Sequence, residues 1–270
     1  MKALFLFLRL MVVPACFSQS LPVAEVPAAV RTGAYNNFTS HALSFTVNQG
    51  VLGLTKRFAA SLYGEKQFLL RELSFYHVGI VQPAGPGAFG LQMAYAGDAD
   101  YNALKTGLAY GRMLGNHIGA GIQFNYWNQH IRGYGNAAQV TVEGGLLFHF
   151  SDAFQAGLQV CNSMGMQLKK GNESVPARYT IGANYQPSQN VTLTTELIKT
   201  DQLPVAVQAG AAYKFAPKLW AQAGINSRTS AFYIGAGYQL HDFSIQVIGS
   251  VHPHLGLSPA LLLTYNAMEK

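Results

Sequence analysis

Spacings that could carry chemistry are few in this 270-residue chain. Gly85-Pro86-Gly87-Ala88-Phe89-Gly90 has the spacing of a dinucleotide-binding loop. That chemistry needs a strand before the loop and a helix N-terminus after it to hold pyrophosphate. Here a strand-like run follows and Pro86 sits inside the string, which reads as a turn. His252-Pro253-His254 places two imidazoles where they could share a metal on one strand face. No third or fourth ligand stands near, and a solvated loop is the simpler reading. His149 and Glu143 share one face of one segment, but their separation is about 20 Å at strand rise, beyond contact. His241-Asp242 falls at a tight turn, where neighbouring side chains diverge. His77 follows Arg71, Leu73 and Phe75 at even spacing and reads as a rim residue. No nucleophile, base and orienting group can be set at one height. The expectation is therefore a non-enzymatic protein with no catalytic residue, no cofactor and no metal.

A second set of polar residues is organised. Lys105, Gln123, Asn125, Glu143, His149, Arg178, Glu196 and Lys214 fall on the polar face of alternating segments. Those segments are clearest between His117 and Val160. Ile118, Ala120, Ile122, Phe124 and Tyr126 alternate with Gly119, Gly121, Gln123 and Asn125. Val140, Val142, Leu146, Phe148 and Phe150 oppose Thr141, Glu143, Gly145 and His149, and Phe154, Ala156, Leu158 and Val160 oppose Gln155, Gly157 and Gln159. Strand side chains alternate faces, so each segment is a ribbon with one oily side. A soluble sheet would put Lys and Glu on the other side; here that side is glycine, amide and hydroxyl. The pattern fits a barrel wall, with hydrocarbon outside and a wet or plugged lumen inside. Charges on the lipid face cost roughly 2–4 kcal/mol at the midplane, so the charged members of the set should point inward. There they pair with one another or with an N-terminal arm, and a role in holding that arm is favoured over a gating or selectivity network.

Composition agrees. Only 11% of residues are charged, against roughly 25% in soluble domains. After the N-terminus there is no unbroken apolar run of membrane-helix length, and a closed barrel is the other structure that pairs every backbone group in lipid. The formal charge of +6 falls to +4 without Lys2 and Arg9, and no Lys/Arg cluster alternates with aromatics, so nucleic acid is not an expected partner. Cys161 stays alone once the first residues are removed, which excludes an internal disulfide.

Residues 1–18 read as a secretory signal: two early cations, a short apolar run and a plausible cleavage point after Ser18. Lipoprotein processing at Cys16 is the minor alternative, poorly matched because of Pro14. Residues 19–55, punctuated by prolines and by Tyr35-Asn36-Asn37, read as an arm or plug, and residues 56–266 as the barrel. Fourteen strands are expected, at 56–64, 69–82, 87–96, 103–114, 117–128, 138–150, 153–162, 177–186, 190–199, 204–215, 218–226, 230–240, 242–251 and 257–266. Tight turns such as Gly115-Asn116, Ser151-Asp152 and Ala216-Pro217 alternate with longer links, of which 129–137 and 162–176 are the longest; the latter carries Lys169-Lys170. Outer-membrane barrels show this parity, with tight turns at the periplasmic rim. Tyr95, Tyr126, Trp127, Tyr185, Tyr213, Trp220 and Tyr265 near strand ends suggest an interfacial girdle. The fold expected is an all-β, transmembrane antiparallel barrel of about 14 strands with an N-terminal plug, in the outer membrane of a diderm bacterium.

Asn48-Gln49-Gly50-Val51-Leu52-Gly53-Leu54, followed by Phe58–Tyr63 and Phe68–Leu73, resembles the approach to the barrel in FadL-like outer-membrane proteins, particularly the PorV and PorQ relatives associated with type IX secretion. Gly107-Leu108-Ala109-Tyr110 and Gly119-Ala120-Gly121 are similar to the same group. Gln49 stands where the group has proline, Val51 where it has a small residue, and no terminal aromatic closes the chain. The resemblance implies a fourteen-stranded barrel and a hatch whose approach includes Asn48, Gly50 and Leu52. It also implies either passage of a small hydrophobic molecule or a scaffold role in protein export. Partners would then be outer-membrane lipids, a hydrophobic small molecule and, in the second case, secretion-system proteins.

Overall fold

The computed structural model describes residues 26–31, 34–35, 39–162 and 176–267. The signal sequence expected at 1–18, with Cys16, and the Lys169-Lys170 spot lie outside them.

Fourteen strands run β1 (Ala59–Lys66), β2 (Ser74–Ala84), β3 (Gly87–Gly97), β4 (Tyr101–Leu114), β5 (Ile118–Ile131), β6 (Gly135–Ser151), β7 (Phe154–Cys161), β8 (Arg178–Ser188), β9 (Val191–Thr200), β10 (Ala206–Ala216), β11 (Leu219–Asn226), β12 (Ala231–Leu240), β13 (Phe243–His252) and β14 (Gly256–Asn266). Each pairs antiparallel with its sequence neighbours, and β14 closes on β1 from Ala59↔Asn266 to Glu65↔Ala260. Closure leaves no edge strand. Register shifts occur at His149/Ser151, Tyr185/Ser188 and Lys214/Ala216, each beside a tight turn, so the ladder is unbroken at mid-height.

The alternation decides the faces. Phe124 is 55% exposed on the outside while Gln123 and Asn125 beside it are 0% and 2% exposed. The same inversion places Leu91, Leu108, Ile181, Ile234 and Val247 outside and Gln92, Thr180, Asn184, Thr194 and Gln222 inside. Water would select the opposite arrangement.

Turn chemistry divides the ends. Two-residue or three-residue turns follow β2, β4, β6, β8, β10 and β12, and both ends of the barrel sequence meet there, where Ala267 N–H donates to the Phe58 carbonyl at 2.9 Å. Gly85 takes φ +58° in the first of these turns, so the glycine-rich string is a hairpin with strands on both sides. The connections at the other end include 67–73, 162–177 and 201–205. Three expectations shift. β2 begins at Ser74 because two short 3-10 turns with left-handed Phe68 and Leu69 occupy Gln67–Leu73. The connection expected at 129–137 shrinks to 132–134 because β5 and β6 keep pairing out to Ile131↔Gly135. Both tryptophans turn inward: Trp127 is buried with Nε1 donating to Thr141 Oγ1 at 3.1 Å, and Trp220 packs over Gly237. The outer aromatic positions are held by Tyr and Phe, as in the Phe58–Tyr265–Phe243 group.

The N-terminal segment lies inside the cylinder. One helical turn, α1 (Ala28–Arg31), precedes 3-10 turns at Ala42–Thr46 and Gln49–Leu54. Ala42 to Gly50 are buried throughout. Leu43 packs with Tyr63, Phe75 and Ile248, and Phe45 and Leu52 pack with Val81, Ala88 and Ala109. The only apolar core of the described chain is therefore this segment against inward side chains of the wall.

Candidate functional site: the occupied lumen

Polar groups inside the wall are arranged in rows set by cross-strand register. Gln92, Gly107, Asn125 and Thr141 stand opposite one another on β3 to β6, and Gln123, Glu143, Cys161 and Arg178 on β5 to β8. Adjacent members of a row lie within reach of one another. His77 Nε2 bonds to Gln92 Oε1 at 2.7 Å, and Gln92 Nε2 donates to Asn125 Oδ1 at 3.1 Å. His77 is 1% exposed, so it is a lumen residue of the mid-wall and not of the rim.

Glu143 collects the charge. Lys105 Nζ is 2.7 Å from its Oε1 and lies 4.9 Å from the centre of the Trp127 ring. Gln49 and Gln159 donate to its Oε2 at 3.1 and 3.4 Å. A buried carboxylate needs this density of donors, since its desolvation is costly. Arg178 reaches Cys161 Sγ at 3.4 Å in the same row. The buried thiol is packed beside the cation as a wall residue.

A second ion pair ties the segment to the far wall. Arg31 Nε meets Glu196 Oε2 at 2.7 Å, with both side chains almost fully buried. The turn that carries Arg31 is hung from the wall by Gln208 Nε2 to the Ala28 carbonyl at 2.6 Å and Gln222 Nε2 to the Ala29 carbonyl at 3.2 Å. Its own open N–H and C=O groups would otherwise be orphaned in the interior.

The Asn48–Leu52 stretch is seated on wall glycines. Asn48 Oδ1 accepts from Gly50 N–H at 2.9 Å and its Nδ2 donates to the Leu146 carbonyl at 2.9 Å. One amide therefore shapes the turn and pins it to β6. A methyl on Gly121 would strike the Gln49 carbonyl, and one on Gly119 the Gly50 carbonyl. Tyr35 lies in the same way against Gly157 and Gly182. Leu52 fills the apolar cluster below.

The polar set read from the sequence thus falls in three places. Lys105, Gln123, Asn125, Glu143 and Arg178 belong to the β3–β8 network. Glu196 joins Arg31 across the lumen. His149 and Lys214 stand at the tight-turn end, half-buried, with His149 Nε2 only 3.6 Å from Asp152 Oδ1 in the adjoining turn. They are mouth residues, separated from the network by strand length. Sequence reasoning missed Arg31, Tyr35 and Gln92, put His77 at the rim, and placed Gln159 on the polar face without counting it in the set. Gln92 and Gln159 carry a readable signal, a polar residue at even spacing on the glycine side; Arg31 carries none until its partner is known. His252 Nδ1 accepts from the backbone of His254 and Leu255, closing a loop and not a metal site. Among the described residues no three His, Cys, Asp or Glu are gathered for a metal ion.

No family model and no curated protein matches the sequence. Solved structures do match the fold, which is that of FadL-type outer-membrane barrels. The CymD monoaromatic hydrocarbon channel superposes with a TM-score of 0.64 at 9% identity, over 86% of this chain and 94% of that one. The Pseudomonas putida toluene transporter TodX gives 0.64 at 10% identity over 86% and 94%, and a Pseudomonas aeruginosa FadL homologue 0.62 at 11% over 83% and 94%.

Proposed function

We propose that this chain is a non-enzymatic outer-membrane channel of FadL type, which admits a small hydrophobic molecule past its own N-terminal segment. In this reading residues 1–18 are the export signal, 19–55 the gate and 56–266 the barrel, lying in the outer membrane of a diderm bacterium among its lipids. The observation that carries it is a cylinder, apolar outside and polar inside, whose bore holds the described residues between 26 and 54 by a buried ion pair, by apolar packing and by contact with wall glycines. Neighbours of the same fold that are a toluene transporter and a monoaromatic hydrocarbon channel support the cargo class. Lys105, Gln123, Asn125, Glu143, Arg178 and Glu196 then hold the gate, with Asn48, Gly50 and Leu52 as its seat, while His149 and Lys214 line the mouth.

Uptake into liposomes by the full chain and by a chain lacking residues 19–54 tests the reading. A rise on deletion supports a gated channel. Absence of uptake in both forms, with export proteins co-purifying from the outer membrane, supports the alternative of a PorV- or PorQ-like scaffold for type IX-like secretion.

A further inference from the structure

Toward the end with the longer connections, a cavity of about 240 Å³ separates α1 from the wall. Val26 and Ala29 cover it from the segment, Tyr233 and Ile248 from β12 and β13. Glu65 of β1 opens into this space, whose apolar part is bordered by polar side chains such as Gln67, Asn226, Ser250 and His252. It is the one formally charged side chain among the described residues that line the cavity, and it is only 8% exposed. Tyr63 Oη donates to its Oε2 at 3.0 Å.

A carboxylate offers acceptors alone, and where it is buried it demands donors. Among the described residues no Lys or Arg lines the cavity to match an anionic headgroup, its titratable side chains besides Glu65 being Tyr63, Tyr233 and His252, and a second carboxylate would meet the like charge of Glu65 at close range. The volume lies below the range usual for drug-sized ligands, which suits a single ring or a short chain. We propose that this cavity binds a small molecule with an apolar body and one terminal hydrogen-bond donor, an amine or a hydroxyl, oriented by Glu65, and that it rejects carboxylates. The inference rests on the lumen being a route for small apolar molecules and adds the polarity of the cargo.

Equilibrium dialysis of the full chain at pH 7 with benzylamine, benzyl alcohol and benzoate tests it, with toluene uptake into liposomes measured in parallel. The amine and the alcohol should bind, and benzoate about tenfold more weakly or worse, as loss of a charge-assisted bond predicts. Glu65→Gln, checked for a compact heat-modifiable band, should weaken benzylamine about tenfold, leave benzyl alcohol nearly unchanged and improve benzoate. Ile248→Trp should remove binding of all three by filling the space. Benzoate binding as tightly as benzylamine, an order unaltered by Glu65→Gln, or probes that still bind Ile248→Trp would overturn the assignment. With toluene uptake intact, those results leave the channel reading standing. No uptake together with no binding overturns both, and ordered binding without uptake upholds the site and removes the channel.

Discussion

Lys105 and Glu143 illustrate what single side chains contribute inside this bore. Each is almost fully buried, and each is the other's ion partner at 2.7 Å. Lys105→Met takes from Glu143 its bonded cation and should lower stability by about 3–5 kcal/mol, the usual consequence of removing one partner of a buried ion pair. The double variant Lys105→Met/Glu143→Leu should recover much of that loss, read from urea unfolding midpoints in detergent. Equal losses in single and double variants would show the pair to be solvated. His41 gives a pH prediction for the N-terminal segment. Burial lowers its pKa to about 4 from an ordinary 6.5, and its Nε2 donates to the Val30 carbonyl at 3.0 Å. The folded state thus favours the neutral ring. Its stabilising effect is complete above pH 6.5 and is lost progressively as pH falls from 6.5 towards 4. Protease cleavage within residues 26–54 should therefore rise through that window, and His41→Gln should flatten the rise.

At the scale of elements, the 3-10 turn Gln49–Leu54 and the strands beneath it specify one another. Gly121 faces the lumen against Gln49, whereas Gly144, on the outer face of the next strand, has nothing closer than the Gly121 carbonyl at 4.0 Å. Gly121→Val should unseat the turn at a cost of about 1–3 kcal/mol or more, typical of overpacking. It should also increase uptake in liposomes. Gly144→Val should do neither, and matching behaviour of the two variants would remove the seat from the account. Strand positions and faces were legible because period-two alternation is written locally. Strand ends moved where pairing outran the turn signal, as in β5 and β6, and where 3-10 turns replaced the start of β2. The inward turn of Trp127 was hidden because residue type suggested an interface while position in the pleat assigned the lumen.

For the whole molecule, closure converts one oily face per ribbon into a continuous outer belt. Phe124→Arg near mid-height should cost about 2–4 kcal/mol of folding into lipid vesicles. A charge at Phe215 or Phe243, beside the tight turns, should cost about 0–1 kcal/mol. A flat response along the wall would contradict a bilayer around the barrel. The sequence alone determined the number of strands, their faces and the alternation of turn lengths, since these depend on neighbours in the chain and on backbone geometry. It also set apart the polar residues that could not face lipid. Only the tertiary structure decided which of those residues meet. Arg31 and Glu196 are 165 positions apart in the chain, and Glu143 is completed by Gln49 from a segment whose contacts no local pattern specified. Closure and the threading of that segment through the bore bring these groups together, and electrostatic partnership, unlike pleat, carries no short-range signature.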